Sequence, residues 1–361
     1  MKARIWPKNS IVWYCGKSWE SWSPKSFNKG LAGSETAVIY LSKEWARLGY
    51  KVTVYNTCKG EEGIYDNVKY VNFDKFNLND RFDTLIIWRD FNLDILDSPI
   101  KANRIWLDLH DIPYRRKRYS KERTNKVDRI FIKSKFHGSF FLKIPNYLSY
   151  YVPKTKFVII SNGIDKGILG LTNKKDPFKV IYASNYNRGL ELMLKYGWPI
   201  IKKKIPAAEL HAYYGWGHFD AYEKNPDKQK WKKEMINLME KLGVVDHGRI
   251  SQNQLIEEKS KSAIHYYGCI WHETDCISVR ESAAVGCVPV TTRHSALAEK
   301  PYCIKIRGNP YEKKTQQKIA YKIIKLLKNP RKIKRIGEKF RIRAAKETWD
   351  VIAERWLKEL E

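Results

Sequence analysis

Glu273 and Glu281 enclose seven residues of the run HETDCISVRESAAVGCVPVTT, His272 to Thr292. Carboxylates accept hydrogen bonds from vicinal hydroxyls, so such a pair suits a ligand that is half sugar and half nucleotide. If the residues between them are helical, eight steps of about 100° set the side chains roughly 80° and about two turns apart. Each would then grip a different part of one extended ligand. The pattern places Glu273 in a loop after the strand AIHYYGC (Ala263 to Cys269), runs a helix from Asp275 to Ala284, stops it near Gly286 and opens the next strand at Val288. A helix start at the carboxyl edge of a parallel sheet presents unpaired N–H groups and the positive end of a dipole, which is a place to hold a phosphate. The competing reading is structural, with Glu273 capping the helix and Glu281 a solvated helix residue.

Three other groups have chemistry to offer. His110 closes a strand in WLDLHDIP, at the edge where open α/β sheets bind ligands, and Asp108 and Asp111 either orient it or cap the next segment. Arg115, Arg116, Lys117 and Arg118 follow at once, with Tyr119, Lys121 and Arg123 behind them. Charge runs are usually solvated faces, but this one adjoins a strand end and is a candidate for contacting phosphates. Trp19, Trp22, Lys25 and Lys29 form a second basic and aromatic group, able to add stacking to charge. Arg188 stands where a helix begins, a position unfavourable for a cation unless an anion is bound there.

The elements that must position these residues alternate between strands and helices. In the first half, strands are expected near Ile11 to Tyr14, Lys51 to Tyr55, Val68 to Phe73, Thr84 to Trp88, Arg104 to Leu109, Arg129 to Lys133 and Phe157 to Ile160. A helix runs from Ser34, as N-cap, to Leu48. In the second half they fall at Lys179 to Ser184, Glu209 to Tyr214, Val244 to His247, Ala263 to Tyr267 and Val288 to Thr292. Helices at Lys228 to Leu242 and Asn253 to Lys261 separate them, and Lys314 to Leu327, Arg331 to Lys346 and Trp349 to Glu361 follow. Strands separated by helices imply α/β architecture with parallel, doubly wound sheets. The 361 residues suffice for two domains. A hydrophobic fraction of 43% with 13% aromatics argues against disorder. No run reaches the roughly 18 apolar residues of a membrane helix, and MKARIWPKNSIVWYCG has no signal-peptide pattern, so a soluble, intracellular protein is expected. Six cysteines form no C-x-x-C pair and are read as reduced and buried, with no metal site. The net charge of +29 favours a polyanion, nucleic acid or an anionic membrane surface, unless it only reflects a lysine-rich codon bias.

Glu-x7-Glu followed by AAVGCVPVTT resembles the signature of retaining, family 4 nucleotide-sugar glycosyltransferases of the GT-B fold. Arg188 to Gly217 (RGLELMLKYGWPIIKKKIPAAELHAYYGWG) resembles the same family's phosphate-binding entry, ISNGID (Ile160 to Asp165) its interdomain element, and GLAGSETA (Gly30 to Ala37) its amino-terminal glycine-rich loop. The resemblance covers most of the chain, and its motifs occur in the family's order. It implies two facing Rossmann-like domains with a cleft between them: residues 1–165 on the acceptor side, with 349–361 packing back onto them, and 166–348 binding the donor. It further implies a UDP- or GDP-sugar donor and no other cofactor. Glu281 would hold the ribose, and Glu273 the sugar hydroxyls. Arg188, Asp275, Cys276, Ile277, Arg249, Ile250 and Gly33 would serve the donor, while His110 would lie near the transferred sugar. The family's second basic residue has no clear counterpart beside Arg188, where Ser184, Asn185 and Asn187 stand. With no Asp-x-Asp motif at a strand end, Arg188 and the helix N–H groups at Asp275 to Ile277 would stabilise the leaving diphosphate without a metal. Arg115, Arg116, Arg118, Trp19, Trp22 and Lys29 are assigned to a polyanionic acceptor, first of all a hydroxymethylated pyrimidine in DNA, as in some bacteriophage enzymes acting in a host cell. The alternatives are a surface polysaccharide or lipid-linked glycan at an anionic membrane, and a nucleic-acid-binding protein that kept the fold and lost catalysis.

Overall fold

The structure, a computed structural model, describes residues 2–113, 115–142 and 152–360. The chain divides into two compact units, one comprising Met1–Ser26, Leu31–Gly163 and Glu347–Glu361, the other Phe27–Gly30 and Ile164–Lys346.

The first unit holds eight strands: β1 (Ser10–Tyr14), β2 (Lys51–Asn56), β3 (Gly63–Tyr65), β4 (Val68–Asn72), β5 (Arg81–Trp88), β6 (Lys101–Asp108), β7 (Arg129–Ile132) and β8 (Phe157–Ile159). Their order is β3-β4-β2-β1-β5-β6-β7-β8. All neighbours are parallel except the β3–β4 hairpin, which the apolar pattern does not announce because its strand is three residues long. Buried tryptophans close this unit. Trp356, on the Trp349–Leu357 helix, stacks on Phe131 with ring centroids 3.5 Å apart and reaches Trp13, Trp45 and Trp106. Truncating one such ring costs about 3–5 kcal/mol, so the carboxyl-terminal helix is an integral part of this core. The helix after the glycine-rich loop runs Gly33–Arg47, and Ala32 rather than Ser34 occupies its N-cap position. Ser34 cannot cap because its hydroxyl is engaged elsewhere, donating to Glu35 and accepting from Arg89, each at 2.8 Å.

The second unit holds β9 (Asp176–Ala183), β10 (Glu209–Tyr213), β11 (Val244–Asp246), β12 (Ser262–Tyr267), β13 (Val288–Thr292) and β14 (Ile304–Ile306), ordered β11-β10-β9-β12-β13-β14 and parallel throughout. Every residue of β12 and β13 is buried, the mark of a parallel sheet covered on both faces. Because the strands run the same way, the loops after β9, β10, β11, β12 and β13 share one carboxyl edge. Helices are sharpened by caps that pattern alone placed only to within a residue or two. Ser251 and Gln254 form a capping box before the Gln252–Lys261 helix, and Asn225 caps Pro226–Lys241. The last two helices of this unit are Lys313–Leu327 and Pro330–Ala344.

All six cysteines are free thiols, five of them buried. No helix among the described residues is long and apolar enough to cross a membrane.

Candidate functional site

In the second unit two loops meet at the carboxyl edge of the sheet. The turn Tyr186–Arg188 follows β9, and the segment Gly268–Cys276 follows β12. Gly189 (φ +120) lets them meet, since a Cβ there would lie 2.5 Å from the Gly268 carbonyl oxygen, and the Ile270 amide donates to the Arg188 carbonyl at 3.2 Å. Arg188 and Glu273 are thereby brought together. Oε1 of Glu273 accepts from Arg188 Nη1 at 2.8 Å and from the Tyr267 hydroxyl at 2.6 Å. Oε2 has no partner among the described residues. The Arg188 guanidinium also lies 5.6 Å from the centre of the Trp271 ring, and Trp271 is exposed.

The helix between the two glutamates is Ile277–Ala284, starting two residues later than the pattern indicates. Cys276 sits at its N-cap with φ 73°, a left-handed conformation rare for a residue with a Cβ, and no side chain caps the turn. Glu281 is 7% exposed, and both its oxygens are held: Gln252 Nε2 donates to Oε1 at 2.7 Å and Lys259 Nζ to Oε2 at 2.6 Å. It is therefore an anchored carboxylate, and the solvated alternative fails. Glu273 is likewise 7% exposed, and its side chain makes ion-pair and phenol contacts rather than capping the helix.

Asp275, whose backbone N–H is expected at the leaving diphosphate, has a separate role for its carboxylate. Its carboxylate faces inward at 1% exposure, paired with Arg280 and Lys300, while Arg280 also donates to the Tyr302 hydroxyl at 2.8 Å. Two cations compensate that buried charge, so Asp275 braces the Glu273 loop and offers a ligand no carboxylate. Ile277 is 8% exposed, and Cys276 is partly buried. Burial pushes the Cys276 thiol well above its usual range, so it stays protonated. In the turn after β11, Gly248 has φ +65 and Ile250 packs on the second core. Arg249 Nη2 donates to the Gly30 carbonyl at 2.9 Å, which commits part of that guanidinium within the protein.

In the first unit, β6 ends in Asp108 and His110 follows it. Asp108 is fully buried and accepts from Lys133 Nζ through Oδ1, and lies 2.8 Å from His110 Nε2 through Oδ2. Its ionised form survives because those two groups outweigh desolvation, and its pKa lies well below the usual carboxylate range. Burial is also the largest influence on His110, and with Lys133 it outweighs the pull of Asp108, so the imidazole titrates below its usual value and is neutral at neutral pH. Nε2–H then points at the carboxylate, which fixes Nδ1 as the acceptor nitrogen. Beside it His137 takes an N–H from Lys133 on Nδ1 at 3.1 Å and places Nε2 2.9 Å from the Asp111 carbonyl, a set only the neutral ring satisfies. Its pKa is lowered to about 4, chiefly by burial.

The expected basic and aromatic group divides. Arg115 is exposed, and Arg118 pairs with Asp90 at 2.9 Å. Arg116 starts a short turn, and its side chain lies outside the described residues. Trp19 is 37% exposed and Lys29 is exposed, whereas Trp22 is fully buried against Trp88 with its indole N–H on Ser18. Trp22 is thus a core residue with no face for a ligand. Gly33 is the first residue of its helix. Tyr267, Lys259 and Gln252, the groups that hold the two glutamates, escaped sequence reasoning. Among the described residues no cluster of His, Cys, Asp and Glu is placed to hold a metal ion.

No family model and no curated protein matches this chain. Solved structures do. HepE from Anabaena, in complex with UDP and glucose, superposes with a TM-score of 0.69 at 12% identity, over 97% of this chain and 99% of that one. Sucrose-phosphate synthase from Thermosynechococcus elongatus gives 0.68 at 11% identity, over 99% and 98% of the two chains. A glycosyltransferase from Rickettsia africae gives 0.68 at 12%, over 98% of each. The fold is GT-B, the fold of these glycosyltransferases, built from two Rossmann-like units with parallel sheets.

Proposed function

We propose that this chain is a retaining glycosyltransferase that binds a UDP-sugar in its second unit and passes the sugar to a hydroxyl of a polyanionic acceptor. The observation that carries the reading is the pairing of Arg188 with Glu273 at the carboxyl edge, with the anchored Glu281 eight residues on in a helix that starts at that edge. The UDP assignment is supported by the HepE complexes with UDP and with UDP-glucose.

In this account Glu281 accepts hydrogen bonds from the ribose hydroxyls, and Lys259 holds its carboxylate in place. Oε2 of Glu273 accepts from hydroxyls of the sugar. Bond cleavage between the anomeric carbon and the diphosphate oxygen places negative charge on UDP, which Arg188 and the N–H groups at Cys276 and Ile277 stabilise. The acceptor hydroxyl attacks the same face, and its proton passes to the departing phosphate oxygen. The neutral His110 serves as a hydrogen-bonding group for the transferred sugar.

For the acceptor we propose a hydroxymethylated pyrimidine in DNA, a reading supported by the net charge of +29. Mass spectrometry of digested duplex DNA, with ordinary or 5-hydroxymethylated pyrimidines, after incubation with a panel of nucleotide sugars, tests it. A hexose or pentose increment only on the hydroxymethylated base supports the assignment. Donor hydrolysis without any increment rejects the DNA acceptor and leaves a glycan or lipid-linked acceptor, while no turnover of any donor rejects the transferase.

A further inference from the structure

Twelve of the net 29 positive charges lie in one stretch, Glu312 to Lys346, where fourteen Lys and Arg face two Glu. That stretch is the helix pair Lys313–Leu327 and Pro330–Ala344 of the second unit. Its apolar residues are already used: Ile319, Ile323, Ile324, Leu326 and Leu327 on the first helix, and Ile333 and Phe340 on the second, are buried in the core. What faces outward is the basic side. Arg331, Lys334, Arg335, Lys339, Arg343 and Lys346 border a shallow hollow of about 810 Å³.

The charge there is uncompensated. Glu338, the acid in the row, is 3.1 Å from Arg341. Arg331, Lys332, Lys334, Arg335, Lys339 and Lys346 have no acidic partner among the described residues. A row of unpaired cations repels itself, so the protein gains when a polyanion neutralises it. Two polyanions are available in principle, a nucleic-acid backbone and an anionic bilayer. Stable adsorption to a bilayer is helped by an apolar stripe that enters the acyl boundary, and here that stripe is turned inward, with only Tyr321 and Ile342 as large exposed apolar side chains on the two helices. A phosphate backbone needs no such stripe. Arg331 to Arg343 extends about 18 Å along the helix, a length over which duplex DNA presents about ten phosphate charges.

We propose that the outward face of the Lys313–Leu327 and Pro330–Ala344 helices is a sequence-independent docking surface for the phosphate backbone of duplex nucleic acid. It rests on the polyanionic-acceptor reading and names the part of the molecule that carries the acceptor's charge. The Glu273 and Glu281 site makes no contribution to it.

The test compares two triple reversals of equal net charge in the full-length protein. Lys334→Glu, Arg335→Glu and Lys339→Glu remove part of the row, and Lys228→Glu, Lys230→Glu and Lys233→Glu do the same on the exposed side of the Pro226–Lys241 helix. Binding of a labelled duplex of random sequence is titrated against salt. Each lost phosphate contact lowers the slope of log K against log salt by about 0.9, so the row variant should lose about 3 units of slope and on the order of a hundredfold in affinity at physiological salt. The control should keep the wild-type slope. Equal losses in both variants would mean a diffuse charge effect and overturn the proposal, as would preferential capture of the wild type by phosphatidylcholine vesicles containing phosphatidylglycerol with no duplex binding. Should the reversal variant prove unfolded by circular dichroism, Gln at the same three positions gives the same comparison with a smaller slope change. UDP-sugar hydrolysis by each variant is measured in parallel. Hydrolysis intact with duplex binding lost from the row variant alone supports the docking surface, and hydrolysis absent from the wild type counts against the transferase and not against the surface.

Discussion

The ionised groups at the two sheet edges differ in how far they are enclosed. In the first unit the Lys133–Asp108 pair is sealed, at 1% and 0% side-chain exposure, and His110 beside Asp108 is 8% exposed. In the second unit Glu273 and Glu281 are each 7% exposed, and Arg188, with a side chain 35% exposed, is more open than either. A sealed pair cannot touch a ligand, so its work is to hold the fold and fix the histidine tautomer. A carboxylate anchored from behind by Lys259, or from beside by Arg188 and Tyr267, keeps lone pairs for a ligand. Damage to the first cluster should therefore appear in stability, and damage to the second in donor binding.

The largest effect should come from Asp108→Ala, which strands Lys133 in the core. Loss of one partner of a buried pair costs about 3–5 kcal/mol, and the double variant Asp108→Ala, Lys133→Met should recover most of it. Thermal unfolding of the three proteins decides the matter, and equal melting of single and double variants would show that the pair does not hold this unit.

Next is acid sensitivity. His137 and His265 are buried and neutral, with pKa values lowered by burial to about 4 and about 3. The unfolded chain takes up both protons near pH 6.5, and the folded chain refuses them until far lower pH. Stability is therefore full above about 6.5 and is lost as pH falls toward 4, at up to roughly 2.7 kcal/mol per pH unit for two protons. Urea unfolding at a series of pH values measures this, and a flat profile between pH 7 and 5 would contradict it.

Glu281→Ala should lower the melting temperature, because it strands the buried Lys259, and in the folded protein should raise the KM for the UDP-sugar by about ten- to a hundredfold, the worth of hydrogen bonds to a charged group. The smallest effect is expected from Lys259→Met. Without its cation the Glu281 carboxylate loses the donor that aims Oε2, so the donor KM should rise by less than in Glu281→Ala, and Lys259→Arg should restore it. A KM unchanged in Lys259→Met would make Lys259 a packing residue only.

The sheets were legible because parallel strands buried on both faces read as short apolar runs, and the carboxyl edge followed from their alternation with helices. The Glu273 and Glu281 pair was legible as spacing, and the Arg188–Gly189 entry only through the resemblance to the glycosyltransferase family. Lys259 was not, because one buried lysine among so many surface lysines has no signature in composition or period. Trp22 looked like a ligand platform because a loop rich in tryptophan and lysine reads the same whether its rings face inward or outward. The bracing role of the Asp275 carboxylate was hidden for a related reason: its partners Arg280 and Lys300 lie 5 and 25 residues away, and only the folded chain shows that they claim it.

The central claim is that the edge bearing Arg188, Glu273 and Glu281 binds a nucleotide sugar. Calorimetric titration of the full chain with UDP, GDP and UDP-glucose, beside Glu281→Ala, tests it most directly. The account predicts saturable binding of UDP and UDP-glucose that weakens by at least tenfold in the variant. Binding of no nucleotide by the wild type, or binding unchanged by Glu281→Ala, would contradict it.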